Sequence, residues 1–224
     1  MTGLKKTLAA WMMIAGFSAT AAAESYSFAC ISSGSAANCA TGATQLRVDV
    51  LNFSANQTLF QFYNTGAGNS SITDIYFDDG TLLGIAQVNN GPSGSGVSFS
   101  PPATPGNLPG GRNADPDFVT TAGFSADSDP PVSSNGVNPG ETLGILFNLQ
   151  SGQSFSSVIN ALTLAGAPGG LRIGLHVQSF SDGSSASFIN NINAVSPVPE
   201  INQWLMMLLG FTFIAIRTVT SARS

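Results

Sequence analysis

Few residues in this chain are equipped for chemistry. His176 is the only histidine. A catalytic imidazole needs an orienting carboxylate and a nucleophile. Serines are abundant, but no Gly-x-Ser-x-Gly elbow occurs. His176 falls on the polar side of an alternating run, so a solvated surface imidazole is expected there. Carboxylates gather as Asp74/Asp78/Asp79, Asp115/Asp117 and Asp127/Asp129, and Glu141 is the only glutamate between Glu24 and Glu200. Paired acids can cleave glycosides. Here Asp78-Asp79-Gly80 reads as a tight turn, where acids usually serve turn geometry. The acidic loops could take Ca²⁺, although no run follows the twelve-residue Ca²⁺ loop with its closing glutamate, and the chain is read as needing no cofactor. Cys30 and Cys39 bracket the flexible Ile31–Asn38. With no third cysteine and a distant histidine, zinc is disfavoured, and a Cys30–Cys39 disulfide is expected, worth somewhat under ~3 kcal/mol for so short a loop.

Sugar recognition is the other class of chemistry to weigh. Carbohydrate modules commonly stack rings on exposed Trp or Tyr. Between the two ends the chain offers only Tyr26, Tyr63 and Tyr76, because Trp11 and Trp204 lie in the flanks. Asn, Gln, Asp and Arg remain for hydrogen bonds. A polysaccharide-binding module stays open as an alternative, and a secreted hydrolase using Asp78, Asp79, Glu141 or His176 as a weaker one.

The elements that must position these residues are strands. Leu171, Ile173, Leu175 and Val177 alternate with Arg172, Gly174, His176 and Gln178, the signature of a strand with one buried face. Similar runs span 45–52, 58–63, 71–77, 81–88, 96–100, 118–125, 142–150 and 187–193. The Asp79-Gly80 dipeptide predicts that the 71–77 and 81–88 strands form a hairpin. Only Ser154–Leu164 has helical spacing, with Ser154 as its cap. The segment Asn89–Pro116, rich in Gly, Pro, Ser and Asn, predicts a surface excursion with at most one edge strand. The fold expected is all-β, an antiparallel two-sheet sandwich of jelly-roll type, with a closed barrel as the alternative.

Charge sets the middle of the chain apart from its ends. Charged residues make up 8% of the 224 residues, against roughly 25% in an average soluble protein. Both lysines, Lys5 and Lys6, lie at the amino terminus, and Arg217 and Arg223 at the carboxy terminus. Between residues 24 and 197, three arginines face eleven acids, a net charge of about −8. Nucleic acid is excluded as a partner, since phosphate would be repelled. Lys5 and Lys6, the apolar run Leu8–Phe17 and the small residues Ala21-Ala22-Ala23 read as a secretory leader over 1–23, cut by signal peptidase before Glu24, with Ala21 and Ala23 in the peptidase site.

At the other end, Val198-Pro199-Glu200 precedes an apolar block from Trp204 to Ile216, followed by Arg217 and Arg223. Trp204, Leu205, Leu208, Leu209, Phe211, Phe213, Ile214 and Ile216 make this block apolar on every face. Its 13 residues reach only about 20 Å as a helix, short of a ~30 Å hydrocarbon core. The arginines fit a cytoplasmic stop-transfer tail. This arrangement resembles the PEP-CTERM sorting tail of Gram-negative bacteria, with Ile201 where the family has its second proline. The resemblance implies recognition at Pro199-Glu200 by an exosortase-like transpeptidase, transient residence in the inner membrane, and release to the cell surface or exopolysaccharide matrix. The organisation expected is therefore a leader (1–23), a β-rich ectodomain (24–196) and a sorting tail (197–224). Its role is read as structural or adhesive and non-catalytic, with exopolysaccharide as a partner.

Overall fold

A computed structural model describes residues 23–79, 83–88, 96–121, 124–164 and 166–193. Among the described residues ten strands form: β1 (Ala23–Cys30), β2 (Leu46–Ser54), β3 (Gln57–Asn64), β4 (Ser71–Asp78), β5 (Leu83–Val88), β6 (Phe99–Ser100), β7 (Ser125–Ser128), β8 (Thr142–Leu149), β9 (Arg172–Gln178) and β10 (Ala186–Asn190). Three helices accompany them: α1 (Ala36–Gln45), α2 (Val132–Asn135) and α3 (Phe155–Thr163).

The mostly antiparallel β character is as expected, but the strands belong to one sheet. Its order is β5-β8-β3-β2-β1-β10-β9-β4-β7-β6, and it is nearly closed. β1 is the reason the sheet is continuous. Its first half, Ala23–Ser27, pairs with β2, and its second half, Phe28–Cys30, pairs with β10. The flanking halves face each other across the core. Phe77 of β4 meets Phe60 of β3 at 5.3 Å and Phe147 of β8 at 4.8 Å, ring edge to ring face. Such edge-on pairs add roughly 0.5–1.5 kcal/mol to the burial of the rings themselves.

The predicted hairpin does not form. β4 pairs with β9 and β7, whereas β5 pairs with β8 at the far end of the sheet. The chain crosses between the two halves at Asp78-Asp79, and Asp79 serves this crossing: its Oδ2 accepts from the Leu83 amide at 2.9 Å. The strand expected at 118–125 falls instead at 125–128. β1 and α1 are additional elements. α1 begins within the segment 31–38 read as flexible and runs on past Cys39, capped by Ser35, whose hydroxyl accepts from the Asn38 amide. Gly42 lets it lie directly on the Phe188 ring, since a Cβ there would fall 2.1 Å from Phe188 Cζ.

The helix predicted at 154–164 forms as α3. Ser154 and Ser157 make reciprocal side-chain-to-backbone bonds at its start, a cap worth about 1 kcal/mol. Val158 and Leu162 carry its buried face into the core. The alternation of Leu171, Ile173, Leu175 and Val177 into the core is also as predicted, all four being fully buried.

Cys30 and Cys39 stand with their Sγ atoms 2.04 Å and their Cα atoms 5.3 Å apart, as a disulfide requires, and so tie the end of β1 to α1.

Candidate functional site

The polar side of β9 points to the site, because it is not open to water. Register places its residues in three rows on the outer face of the β9–β4–β7 half. One row runs Ser100, Asp127, Asp74, His176 and Ser187 across β6, β7, β4, β9 and β10. The next runs Ser125, Tyr76, Gly174 and Ile189. The third pairs Asp78 with Arg172. Over these rows lies a strap, residues 101–121, the described continuation of the excursion predicted at 89–116. As expected, the 89–116 excursion holds a single short edge strand, β6, among its described residues, just before the strap. The strap is nonetheless packed: Ala103, Leu108 and Phe118 bury themselves on Tyr76 and Ile189 as a second small core.

Gly174 makes the close approach possible. A Cβ there would lie 2.8 Å from Leu108 Cδ2 and 3.0 Å from Phe118 Cζ. Backbone and side chains then pin the strap at several points. The Ala103 amide donates to Ser125 Oγ at 3.1 Å, and the Thr104 amide to Asp127 Oδ2 at 3.2 Å. Tyr76 donates its hydroxyl to the Pro105 carbonyl at 3.0 Å. Asn113 Nδ2 donates to the Ile31 carbonyl at 3.1 Å.

Arg172 is the main anchor. Its Nη1 donates to the Pro116 carbonyl and its Nη2 to the Asp117 carbonyl, both at 2.6 Å. Nε and Nη2 also reach Asp78 Oδ2, at 3.1 and 2.5 Å, and the guanidinium lies 5.2 Å from the Phe118 ring centre. Asp78 is thus the partner of a buried arginine, not a turn-former.

Asp74 and His176 depart from expectation in the same way. Asp74 sits within β4, where a bulge at Thr73 shifts the register so that Ile72, Ile75 and Phe77 all reach the core. Its Oδ2 lies 3.0 Å from His176 Nδ1 and accepts from Thr73 Oγ1 at 2.7 Å. A carboxylate can only accept, so the proton of this bond is on Nδ1. His176 is 15% exposed in its side chain, neither free nor solvated as the sequence implies. The strap over the polar face, invisible to strand periodicity, accounts for this.

The neighbourhood is electrostatically tense. Asp127 faces Asp74 across the β4–β7 ladder. Desolvation, followed by the charges of Asp74 and Asp129, holds its carboxyl above the usual carboxylate range, against the lowering effect of the Thr104 amide. Burial, then the charges of Asp74 and Asp127, pushes the Tyr76 phenol well above its ordinary value.

Asp74, His176 and Ser187 stand in the order of a nucleophile triad. The chemistry is not carried through, however. Ser187 is 2% exposed, and its backbone N–H, which an oxyanion would need, donates to Ser32 Oγ at 2.7 Å. Glu141 is also structurally engaged, its Oε2 accepting from the Asn138 amide at 2.9 Å. No group of three or more His, Cys, Asp or Glu stands close enough to hold a metal ion among the described residues.

Two grooves flank the outer side of the strap, on either side of a 3₁₀ turn at Gly111–Asn113. The larger, about 480 Å³, is lined by Asn107, Arg112, Asp117, Phe118 and Val119, together with Gly110 and Gly111. The smaller, about 270 Å³, lies between Asn113, Asp115, Arg172 and Asn190. Neither was legible in the sequence. The one available signal was an arginine, Arg112, set in a Gly/Pro-rich stretch.

The remaining predicted residues are placed as follows. Ala23 and Glu24 begin β1, opposite Leu51 and Val50. Ala21, Val198, Pro199 and Glu200, the apolar block Trp204–Ile216, and Arg217 and Arg223 lie outside the described residues. Among the described residues no helix is long and apolar enough to cross a membrane. Comparison with protein-family models, with characterised proteins and with solved structures finds no match to this chain.

Proposed function

We propose that this chain is an exported protein of the bacterial cell surface or exopolysaccharide matrix, delivered by a secretory leader and sorted through its PEP-CTERM-like tail. Its β-domain has a structural or adhesive role, not a catalytic one. The observation that carries the reading is the Cys30–Cys39 pair, which the fold brings together where β1 meets α1. Such bonds persist outside the reducing cytoplasm. A cut before Glu24 is compatible with the fold: it removes only the Ala23–Leu51 pair from the β1–β2 ladder and leaves Glu24–Ser27 in register. The scarcity of basic side chains suits an acidic, non-nucleic-acid environment.

In this reading the domain is a flattened, jelly-roll-like sandwich, its halves joined through β1 and packed on the Phe60–Phe77–Phe147 cluster. In support of a non-catalytic role, Asp78 is engaged with Arg172, Asp79 with the Leu83 amide, Glu141 with the Asn138 amide and His176 with Asp74. The deciding experiment is fractionation of producing cells, with an intact mass and a thiol titration on the unfolded, unreduced protein. The expected product begins at Glu24, ends near residue 199 or 200, and has no free thiol. A full-length cytoplasmic chain with both thiols free would refute the proposal.

A further inference from the structure

The larger groove on the strap contains a cation that the fold does not use. Arg47 pairs with Asp49 at 3.1 Å and lies over Tyr63, and Arg172 pairs with Asp78 at 2.5 Å. Arg112 is exposed and, among the described residues, pairs with no carboxylate. In a domain with three arginines and eleven acids, an unpaired guanidinium inside a concavity is conspicuous. The rest of the lining is complementary in kind. Asp117 offers a carboxylate and Asn107 an amide, planar groups that bridge neighbouring hydroxyls by accepting and donating. Phe118 and Leu108 form an apolar floor, fixed from beneath by Tyr76. Gly110, at φ +70°, and Gly111 form the turn that carries Arg112 at the edge of this lining. The volume, about 480 Å³, is in the range of small-ligand sites.

We propose that this groove binds a uronic acid residue of an acidic polysaccharide, with the Arg112 fork holding the sugar carboxylate and Asn107 and Asp117 reading its hydroxyls. A guanidinium matches a carboxylate with two parallel N–H···O bonds, which a neutral sugar cannot reproduce. The proposal rests on the matrix reading for its choice of ligand. The two fail separately: that reading fails in compartment and thiols, this one in binding.

The test is calorimetric titration of the full chain, in mild detergent, with oligogalacturonate and with its methyl ester. Saturable binding of the free acid is expected, at least about tenfold weaker for the ester and for Arg112→Ala, as loss of a charge-assisted pair implies. Arg112 is exposed, so the variant should melt with the wild type; Arg112→Lys should bind at an intermediate level. No saturable heat with the wild type, equal binding of the ester, or undiminished binding by Arg112→Ala would each overturn the proposal.

Discussion

Replacing Arg172 by methionine separates the strap from the sheet beneath it. The methionine keeps the apolar stem that lies among Phe118 and the β9 neighbours, and removes the guanidinium. Lost with it are two bonds of 2.6 Å to the Pro116 and Asp117 carbonyls and the contact with Asp78. Arg172 is 7% exposed in its side chain and Asp78 25%, so the abandoned carboxylate can recruit water. Removing one partner of a buried pair costs about 3–5 kcal/mol. The partial exposure of Asp78 places this case at the lower end, about 3 kcal/mol. The core of Phe60, Phe77 and Phe147 is untouched, so the loss should be local. Hydrogen exchange reads this directly. The strap amide of Phe118, bonded to the Gly111 carbonyl at 3.0 Å, should exchange about 100-fold faster, while β2 and β3 amides hold their rates. A double-mutant cycle with Asp78→Asn should show the two changes to be non-additive. Unchanged Phe118 exchange, or uniform acceleration throughout the sheet, would show that Arg172 does not hold the strap.

Other perturbations probe the same architecture. Gly174→Val should loosen the strap by driving Leu108 and Phe118 outward, giving Phe118 the same exchange signature with the Arg172 network intact; unaltered strap exchange would contradict the close approach. Cys30→Ser with Cys39→Ser should lower stability by about 2–3 kcal/mol in denaturant titration, the loop-entropy value for so short a ring, and reductant should then have no further effect. Phe77→Ala, at the centre of the aromatic cluster, should cost about 3–5 kcal/mol; a loss below about 1 kcal/mol would mean that the two halves are not packed through it. For Asp127, whose folded carboxyl is raised, the protonated form is favoured by folding. Its contribution is complete below the ordinary carboxylate range and is lost as pH rises through the raised value. Melting temperature should therefore fall over that window in the wild type and fall less in Asp127→Asn; parallel curves would refute the assignment.

The sequence by itself determined which residues face the core of each strong strand. Leu171, Ile173, Leu175 and Val177 needed only period two and apolarity, and α3 needed only its Ser154 cap and helical spacing. The two cysteines, close in sequence, could find each other with little regard to the rest of the fold. Tertiary structure decided what periodicity cannot encode. Alternation states which side of a strand is greasy, not which strand lies beside it, so β4 and β5, adjacent in sequence, could end with different partners. α1 mixes helix-favouring alanines with Thr41, Gly42 and Thr44, which weaken a helix and blur the signal, and its Ser35 cap and seat on Phe188 accompany the conformation. β7, the polar run Ser125–Ser128, exists as a strand through the ladders beside it. The polar side of β9 gave no hint that it would be roofed, because a strap of glycine and proline has no period to read. Its attachment to Arg172, Tyr76, Asp127 and Gly174 arises only when residues up to about seventy positions apart are brought onto one face.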